Sequence, residues 1–262
     1  MNWRRVFGVI EKYIYESQRD IFRVFDVVWW PVFQLFIWGL FSVYLQKVSP
    51  NTPNIVSILL GAVMLWSFFE RASKDVTIIV VVEMWNRNLI NIFATPLKIS
   101  EYLMGIMVVA IAKLVVSALL LVFLATVLYA FRIGSIGWYV IPATVGLTIF
   151  GWSISFIIQA CLLRFGQSVE VFIWAAATVV QPFSCVFYPI SALPPWGRPI
   201  AMALPSTYLF ENMRRVMNGQ PIDMAGIGIS FGLNALYFVI ALWIFYRSFA
   251  QAKVRGSLVK QY

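Results

Sequence analysis

Ionisable side chains inside apolar sequence are the residues of this chain that could most clearly take part in chemistry or binding. They lie in two largely apolar runs and are Glu70, Arg71, Lys74, Asp75 and Lys113. If such a run crosses a membrane, each charge costs at least about 2.5 to 3.5 kcal/mol to insert, so charges there usually pair or face a wet cavity. These five residues are therefore candidates for contact with a substrate.

The spacing of the charges favours pairing along one helix. Glu70 and Lys74 are four residues apart, as are Arg71 and Asp75, so a helix places each opposite pair on one face. Two interpretations remain open. The charges could line a translocation pathway, or they could pair only structurally, with Lys113 extending its ammonium towards the headgroups.

Groups for catalysis are scarce in this sequence. The chain has no histidine, and Cys161 and Cys185 lie in apolar segments without the spacing of a metal site or a disulfide framework. Glu70 and Asp75 are five residues apart and poorly placed to face each other as paired carboxylates. We therefore expect no catalytic residue, metal or cofactor on this chain. A polytopic enzyme acting on lipids and a passive channel are the weaker alternatives.

The composition indicates an integral membrane protein. Hydrophobic residues make up 61% of the 262 residues, charged residues make up 12%, and the mean hydropathy is +0.82. The formal net charge of +9 comes from short basic stretches that flank apolar runs. Such stretches are typical of topology signals, so we do not predict a nucleic acid partner.

Six segments approach the roughly 20 apolar residues that a membrane-spanning helix needs. They are residues 27–45, 55–82, 102–131, 136–163, 169–190 and 226–246. Basic residues concentrate before the first span, between the second and third, and after the fourth and sixth. Because positive loops stay in the cytoplasm, both termini are predicted on the cytoplasmic side of the plasma membrane. We predict one membrane domain, residues 1–262, with a bundle at 26–248 and a tail at 249–262.

Two segments outside the spans have the periodicity of amphipathic helices. Within residues 1–25, apolar positions recur at helical spacing from residue 3 onwards, which predicts a helix lying in the headgroup plane. Between the second and third spans, Trp85, Leu89 and Phe93 share one face of a second, shorter helix that Pro96 ends. Either helix could transmit force from a partner or simply lie at the membrane surface.

A proline-dense, aromatic segment precedes the last span. Non-helical backbone near a bilayer survives only where protein buries it or where it lines a watery cavity. We therefore predict a re-entrant cap over a translocation route. Its characteristic residues are Tyr188, Pro189, Pro194, Pro195, Pro205 and Tyr208.

Three motifs together resemble the permease subunit of type-2 ATP-binding-cassette (ABC) exporters. They are the run FDVVWWPVFQLFIWGL from Phe25, the run WNRNLINIFATPL from Trp85, and the Tyr-Pro, Leu-Pro-Pro and Leu-Pro-Ser-Thr-Tyr pattern that begins at Tyr188. The resemblance covers nearly the whole chain. It implies an all-α protein with six transmembrane helices, an N-terminal interface helix, a coupling helix between spans two and three, and re-entrant helices before span six. Carried over to this sequence, the resemblance also implies a re-entrant turn at residues 188–199 and an outer interfacial helix at residues 205–215.

The resemblance also implies partners and residue roles. A permease dimer, either a homodimer or a heterodimer, would bind two separately encoded ATPase subunits that hold ATP and magnesium, since the sequence has no Gly-x-x-x-x-Gly-Lys phosphate loop. The residues implied in coupling to the ATPase are Trp85, Asn86, Arg87, Asn88, Leu89, Phe93 and Arg164. The Trp29-Trp30-Pro31 start of the first span resembles drug-exporter branches, so a drug-like or lipid substrate is favoured over a polysaccharide.

Overall fold

The computed structural model describes residues 1–49 and 55–255, and within these residues all regular structure is helical. Ten α-helices, joined in places by short 3₁₀ turns, account for it. They are α1 (Trp3–Arg19), α2 (Ile21–Val48), α3 (Ile55–Trp85), α4 (Leu89–Ala94), α5 (Ile99–Tyr129), α6 (Val140–Phe165), α7 (Val171–Phe183), α8 (Gly197–Ala203), α9 (Pro205–Met217) and α10 (Met224–Arg255).

The N-terminal helix is shorter than predicted. Asn2 caps α1 by accepting a hydrogen bond from the amide of Arg4, and the helix ends at Arg19 because Asp20 has an extended backbone. Residues 21–25 belong to α2 instead. Buried Val6, Val9 and Tyr13 form the inner face of α1, so its amphipathic pattern was interpreted correctly.

Five helices are long and apolar enough to cross a membrane: α2, α3, α5, α6 and α10. They match five of the six predicted spans, with ends that differ by several residues. The last of them continues to Arg255, past the point where the tail was predicted to begin at residue 249. The final seven residues of that predicted tail, 256–262, lie outside the described residues.

The fifth predicted span, residues 169–190, is not one helix. Only Val171–Phe183 is helical, which gives a length of about 20 Å against the roughly 30 Å of a hydrocarbon core. Pro182 lies in the last turn, the hydroxyl of Ser184 donates to the carbonyl of Val180, and Cys185 adopts a left-handed backbone with φ of 54°. The run stays apolar after Phe183, but its backbone leaves the helix.

The centre of the bundle is the packing of α3 against α6, with α10 on the other side of α6. A Cβ at Gly151 would lie 2.7 Å from the carbonyl oxygen of Phe69, so only glycine permits this close approach of the two helices. Trp66, Phe69 and Phe150 stack in the core beside it. This rigid centre holds both ends of the bundle in position.

The two ends of the bundle have different elements. We call the end that holds α1, α4 and the last turns of α10 the α4 end, because Phe93 packs on Phe249 and α1 packs on α5 there. The opposite end, the α9 end, holds α8, α9 and the 3₁₀ turns at Ile133–Ser135 and Gly137–Tyr139, where the hydroxyl of Tyr139 donates to the carbonyl of Leu209.

Candidate functional site

The segment predicted as one short helix from residue 85 to residue 93 is a turn followed by a helix. Trp85 is the last residue of α3, and α4 begins only at Leu89. Arg87 between them has a left-handed backbone, with φ of 53°, and the amide of Asn88 donates to the carbonyl of Glu83. The polar residues Asn86, Arg87 and Asn88 therefore form a turn at the tip of the α4 end.

The two faces of this segment differ in exposure. Leu89 is 3% exposed, and Phe93 makes edge-on ring contacts with Tyr102 of α5 and Phe249 of α10. Trp85 is 47% exposed and Ile90 is 46% exposed. Leu89 and Phe93 therefore anchor α4 to the bundle, whereas Trp85 and the outer face of α4 are accessible to another molecule.

A buried carboxylate connects α4 with α1. Glu83, near the end of α3, is 2% exposed and accepts hydrogen bonds from the hydroxyl of Tyr13 at 2.8 Å and the side-chain amide of Asn88 at 2.7 Å. The ammonium of Lys12 forms an ion pair with it. The hydroxyls of Tyr13 and Tyr102 are 3.1 Å apart. We call these five residues the Glu83 cluster.

The electrostatics of the Glu83 cluster keep Tyr13 protonated. Burial raises the pKa of the Tyr13 phenol well above its usual value, and the neighbouring Tyr102 and Glu83 raise it further. A neutral phenol retains its proton for the hydrogen bond to Glu83. The Tyr13 phenol therefore remains a hydrogen-bond donor to Glu83.

A second buried carboxylate ties the start of α5 to the N-terminus. Glu101 is 1% exposed and accepts hydrogen bonds from the backbone amides of Asn2 at 2.7 Å and Lys98 at 3.1 Å. Arg5 lies 3.5 Å from it and also donates to the carbonyl of Pro96. Helix α4 thus lies between two carboxylates, each bound to α1.

Arg164, predicted as a second contact for the ATPase, lies at the last turn of α6. Its side chain is exposed, and its guanidinium lies 5.4 Å from the centroid of the Phe165 ring. Gly166 follows with φ of 74° and ends the helix. The structure places Arg164 on an accessible surface, apart from the Glu83 cluster.

The four charges of α3 pair as their spacing predicted. Two nitrogens of Arg71 donate to the two oxygens of Asp75 at 3.1 and 3.0 Å, and the ammonium of Lys74 lies 3.6 Å from Glu70. Arg71 and Asp75 are buried. Helix α3 remains continuous through this polar zone, which agrees with the prediction for residues 55–82.

Helix α2 adds two residues that the sequence analysis missed. Asp26 lies 3.6 Å from Arg71, and the side-chain amide of Gln34 donates to Glu70 at 2.7 Å. We call the space between α2, α3 and α7 that these six polar residues line the charged cleft. Its cavity of about 50 Å³ has room for one or two water molecules, so the cleft is closed in this conformation.

Lys113 is not part of the charged cleft. It is half-buried on α5 and lines a separate, mostly apolar groove together with Ile14 of α1 and Val24 of α2. The predicted set of five charges is therefore divided between four residues on α3 and one lysine on α5, whose charge still acts on Asp26 of the charged cleft. All five residues lie within apolar runs, and that shared feature of the sequence does not indicate that Lys113 lines a different groove.

The predicted cap before the last span is a folded segment at the α9 end. We call the part that connects α7 with α8, residues 184–196, the strap. Arg214 of α9 donates to the carbonyl of Cys185 at 2.7 Å and pairs with Glu211, which accepts from the amide of Ile190 at 2.7 Å. The outer helix was predicted at residues 205–215 and is Pro205–Met217.

The aromatic and proline residues of this cap secure its ends. The hydroxyl of Tyr188 donates to the carbonyl of Pro182 at 2.5 Å, and that of Tyr208 donates to Met202 at 2.9 Å. Pro205 begins α9, and its carbonyl accepts from Ser230 of α10 at 2.8 Å. The residues Pro189, Pro194 and Pro195 lie in the irregular stretches on either side of the 3₁₀ turn at Ile190–Ala192.

Sequence signals for the missed residues were present but weak. Asp26 immediately precedes the first predicted span, and Glu83 immediately follows the second. Glu101 stands three residues after Lys98, the position from which an acidic side chain can cap a helix start. A charge at the edge of an apolar run is ordinary, so only the fold identifies Glu83 and Glu101 as buried and Asp26 as a partner of Arg71.

The comparison with protein families gives one match. The model of the ABC-2 type transporter family matches residues 14–218, which covers most of the chain. A search of curated proteins gave no match. The chain belongs to the ABC-2 type transporter family and is a multi-pass membrane protein that corresponds to the membrane domain of such a transporter.

Proposed function

We propose that this chain is the permease subunit of an ATP-driven ABC-2 exporter of the plasma membrane. Two copies, or one copy and a related permease, form the translocation pathway and bind two separately encoded ATPase subunits. The substrate is hydrophobic, amphipathic or lipid-linked, with a drug-like molecule or a lipid favoured over a polysaccharide. The α4 segment is the coupling helix that receives the motion of the ATPase.

The observation that carries this proposal is the attachment of α4. A helix of six residues would not transmit force through its own stiffness. Here Asn88, which immediately precedes α4, is bound to Glu83, and Pro96, two residues after the end of α4, is bound to Arg5. A displacement of α4 would therefore move α1, α3 and α5 together.

The distribution of positive charge supports a cytoplasmic α4 end. Basic residues that lie at this end of the bundle include Arg4, Arg5, Lys12, Arg87, Lys98, Arg164 and Lys253. Those towards the α9 end include Lys47, Arg132, Arg198, Arg214 and Arg215, two of which are bound within the strap. By the positive-inside rule, the N-terminus and the end of α10 face the cytoplasm.

Six crossings of the membrane are consistent with this orientation even though only five helices have the full length. Helix α6 runs from the α9 end, where Tyr139 contacts Leu209, towards the α4 end, where Phe156 packs on Phe245. Helix α7 then leads back to α9, since the carbonyl of Phe183 accepts from Thr207. We infer that α7 and the strap together make the fifth crossing.

Substrate passage is assigned to the charged cleft and the neighbouring face of α7. Trp174 of α7 lies 5.2 Å from the ammonium of Lys74, so polar and aromatic surfaces meet there. The cleft is too small for an amphipathic molecule as it stands. We propose that nucleotide-driven movement of α4 widens it, because a partner shifts an equilibrium only through contacts that differ between the two states.

Substitution of exposed residues at the two ends tests the assignment. Trp85→Ala together with Arg87→Ala should abolish pull-down of the ATPase that copurifies with the natural chain, and should lower substrate-stimulated ATP hydrolysis at least tenfold, as expected for a residue group central to an interface. The matched control is Trp138→Ala with Arg132→Ala, an exposed tryptophan and arginine at the α9 end. Equal association and turnover in both variants would refute the coupling role.

A further inference from the structure

A cavity of about 720 Å³ opens at the α4 end between α4, the first turn of α5 and the last turns of α10. It is separate from both the Glu83 cluster and the charged cleft. Its walls combine apolar side chains with a few polar ones, and they are Ile90, Phe93, Ala94, Leu97, Lys98, Ile99, Ser100, Tyr246, Phe249 and Lys253. The volume lies within the range of small-molecule sites.

The charge of this cavity is positive and uncompensated. Lys98 and Lys253 are exposed, and within residues 1–49 and 55–255 neither ammonium forms an ion pair. The nearest acidic residue of α5, Glu101, is buried and is already bound to Arg5 and to two backbone amides. The positive end of the α5 dipole lies here together with the negative end of the α10 dipole, so the two lysines supply the net positive charge. The cavity therefore favours an anion.

The two helices that form the cavity continue away from it as apolar stripes, exposed along α5 and partly buried along α10. On α5, the face of Ser100 continues through Met104, Val108, Ile111 and Val115 at helical spacing, and all four side chains are exposed.

On α10, the face of Lys253 and Phe249 continues through Tyr246, Leu242 and Val239. The cavity thus lies where two candidate spans meet the membrane surface, above surfaces suited to acyl chains.

We propose that this cavity binds an anionic phospholipid. The phosphate of its headgroup lies between the ammonium groups of Lys98 and Lys253, and its acyl chains lie along the stripes of α5 and α10. Basic pockets between transmembrane helices are the usual receptors for such headgroups. The proposal needs only the membrane location of the chain and does not depend on export or on the ATPase. Because Phe93 lines the cavity, the lipid touches α4 directly.

Native mass spectrometry of the full-length protein in detergent tests this proposal, with phosphatidylglycerol and phosphatidylcholine as probes. The natural protein should retain phosphatidylglycerol in preference to phosphatidylcholine. Lys98→Gln with Lys253→Gln should lower the affinity for phosphatidylglycerol about thirtyfold, as expected for two surface lysines. The matched control, Lys47→Gln with Arg132→Gln, removes two exposed cations at the α9 end and should bind as the natural protein does.

Other results would overturn the proposal. Equal binding of the two lipids, or equal loss in the cavity variant and the control, would mean that no specific site exists. Displacement of phosphatidylglycerol by inorganic phosphate at similar concentration would indicate a phosphate site without lipid tails. If the glutamine variant does not fold, Lys98→Arg with Lys253→Arg keeps both charges and must retain the preference for phosphatidylglycerol.

Discussion

Glu83 at the α4 end and Asp75 in the charged cleft are both buried carboxylates, but the partners compared below lie at very different distances along the sequence. Glu83 binds Lys12 and Tyr13, which are 71 and 70 residues away in the sequence, and so joins two helices. Asp75 binds Arg71 one turn earlier on its own helix, and so keeps that helix intact through a polar zone. The first arrangement therefore ties α1 to α3, whereas the second holds α3 together, with Asp26 and Gln34 of α2 as additional partners.

Among these carboxylates, removal of Glu83 should cause the largest loss of stability. Glu83→Ala leaves a buried hydroxyl and an amide without their acceptor and frees α1 from α3, which should cost about 3 kcal/mol of stability. A thermal melt of the purified protein in detergent measures it. The control is Glu11→Ala, an exposed glutamate of α1. Identical melting of both variants would show that α1 is not held through Glu83.

Substitution in the charged cleft should have an intermediate effect. Asp75→Asn leaves the buried guanidinium of Arg71 with only Asp26 as a carboxylate partner and should cost about 2 kcal/mol. Glu70→Gln should cost less than about 1 kcal/mol, because Glu70 and Lys74 are only partly buried. Melts of the two variants give the order, and the reverse order would mean that Arg71 does not depend on Asp75.

The smallest effect should come from the hydroxyl of Tyr13. Tyr13→Phe removes one hydrogen bond to Glu83 while the ring stays packed near Tyr102, so about 1 kcal/mol should be lost. Tyr15→Phe, at an exposed position of α1, is the control and should be neutral. Should the two variants melt together, the ion pair with Lys12 would account for the attachment of α1 without the phenol.

The same comparison shows what the sequence could predict. Pairs four residues apart, such as Arg71 with Asp75, follow directly from helix geometry. The partners of Glu83 and Glu101 depend on how α1 folds back across the bundle, and no local pattern contains that information. Lys113 was grouped with the α3 charges because of its apolar surroundings, but position along a run does not specify which groove a side chain enters.

The membrane spans show a similar division. Length and apolarity identified five long helices, because both properties depend only on consecutive residues of the sequence. They failed at residues 169–190, where apolar sequence continues but the helix ends at Phe183. The reason is that Arg214, Thr207 and Ser206 of α9 provide partners for the backbone and side chains after α7. A distant helix thus permits a helix end that composition alone does not reveal.

The strap at the α9 end has one mechanical consequence. Ser184 contacts Ser206 at 2.8 Å, Phe183 accepts from Thr207, and Cys185 and Ile190 are both held by the Arg214–Glu211 pair. Helices α7 and α9 are therefore bonded at several points and should move as one rigid unit. An exit on this side would open by rotation of that unit relative to the flanking helices, because movement of the connecting loop alone would have to break all of these hydrogen bonds.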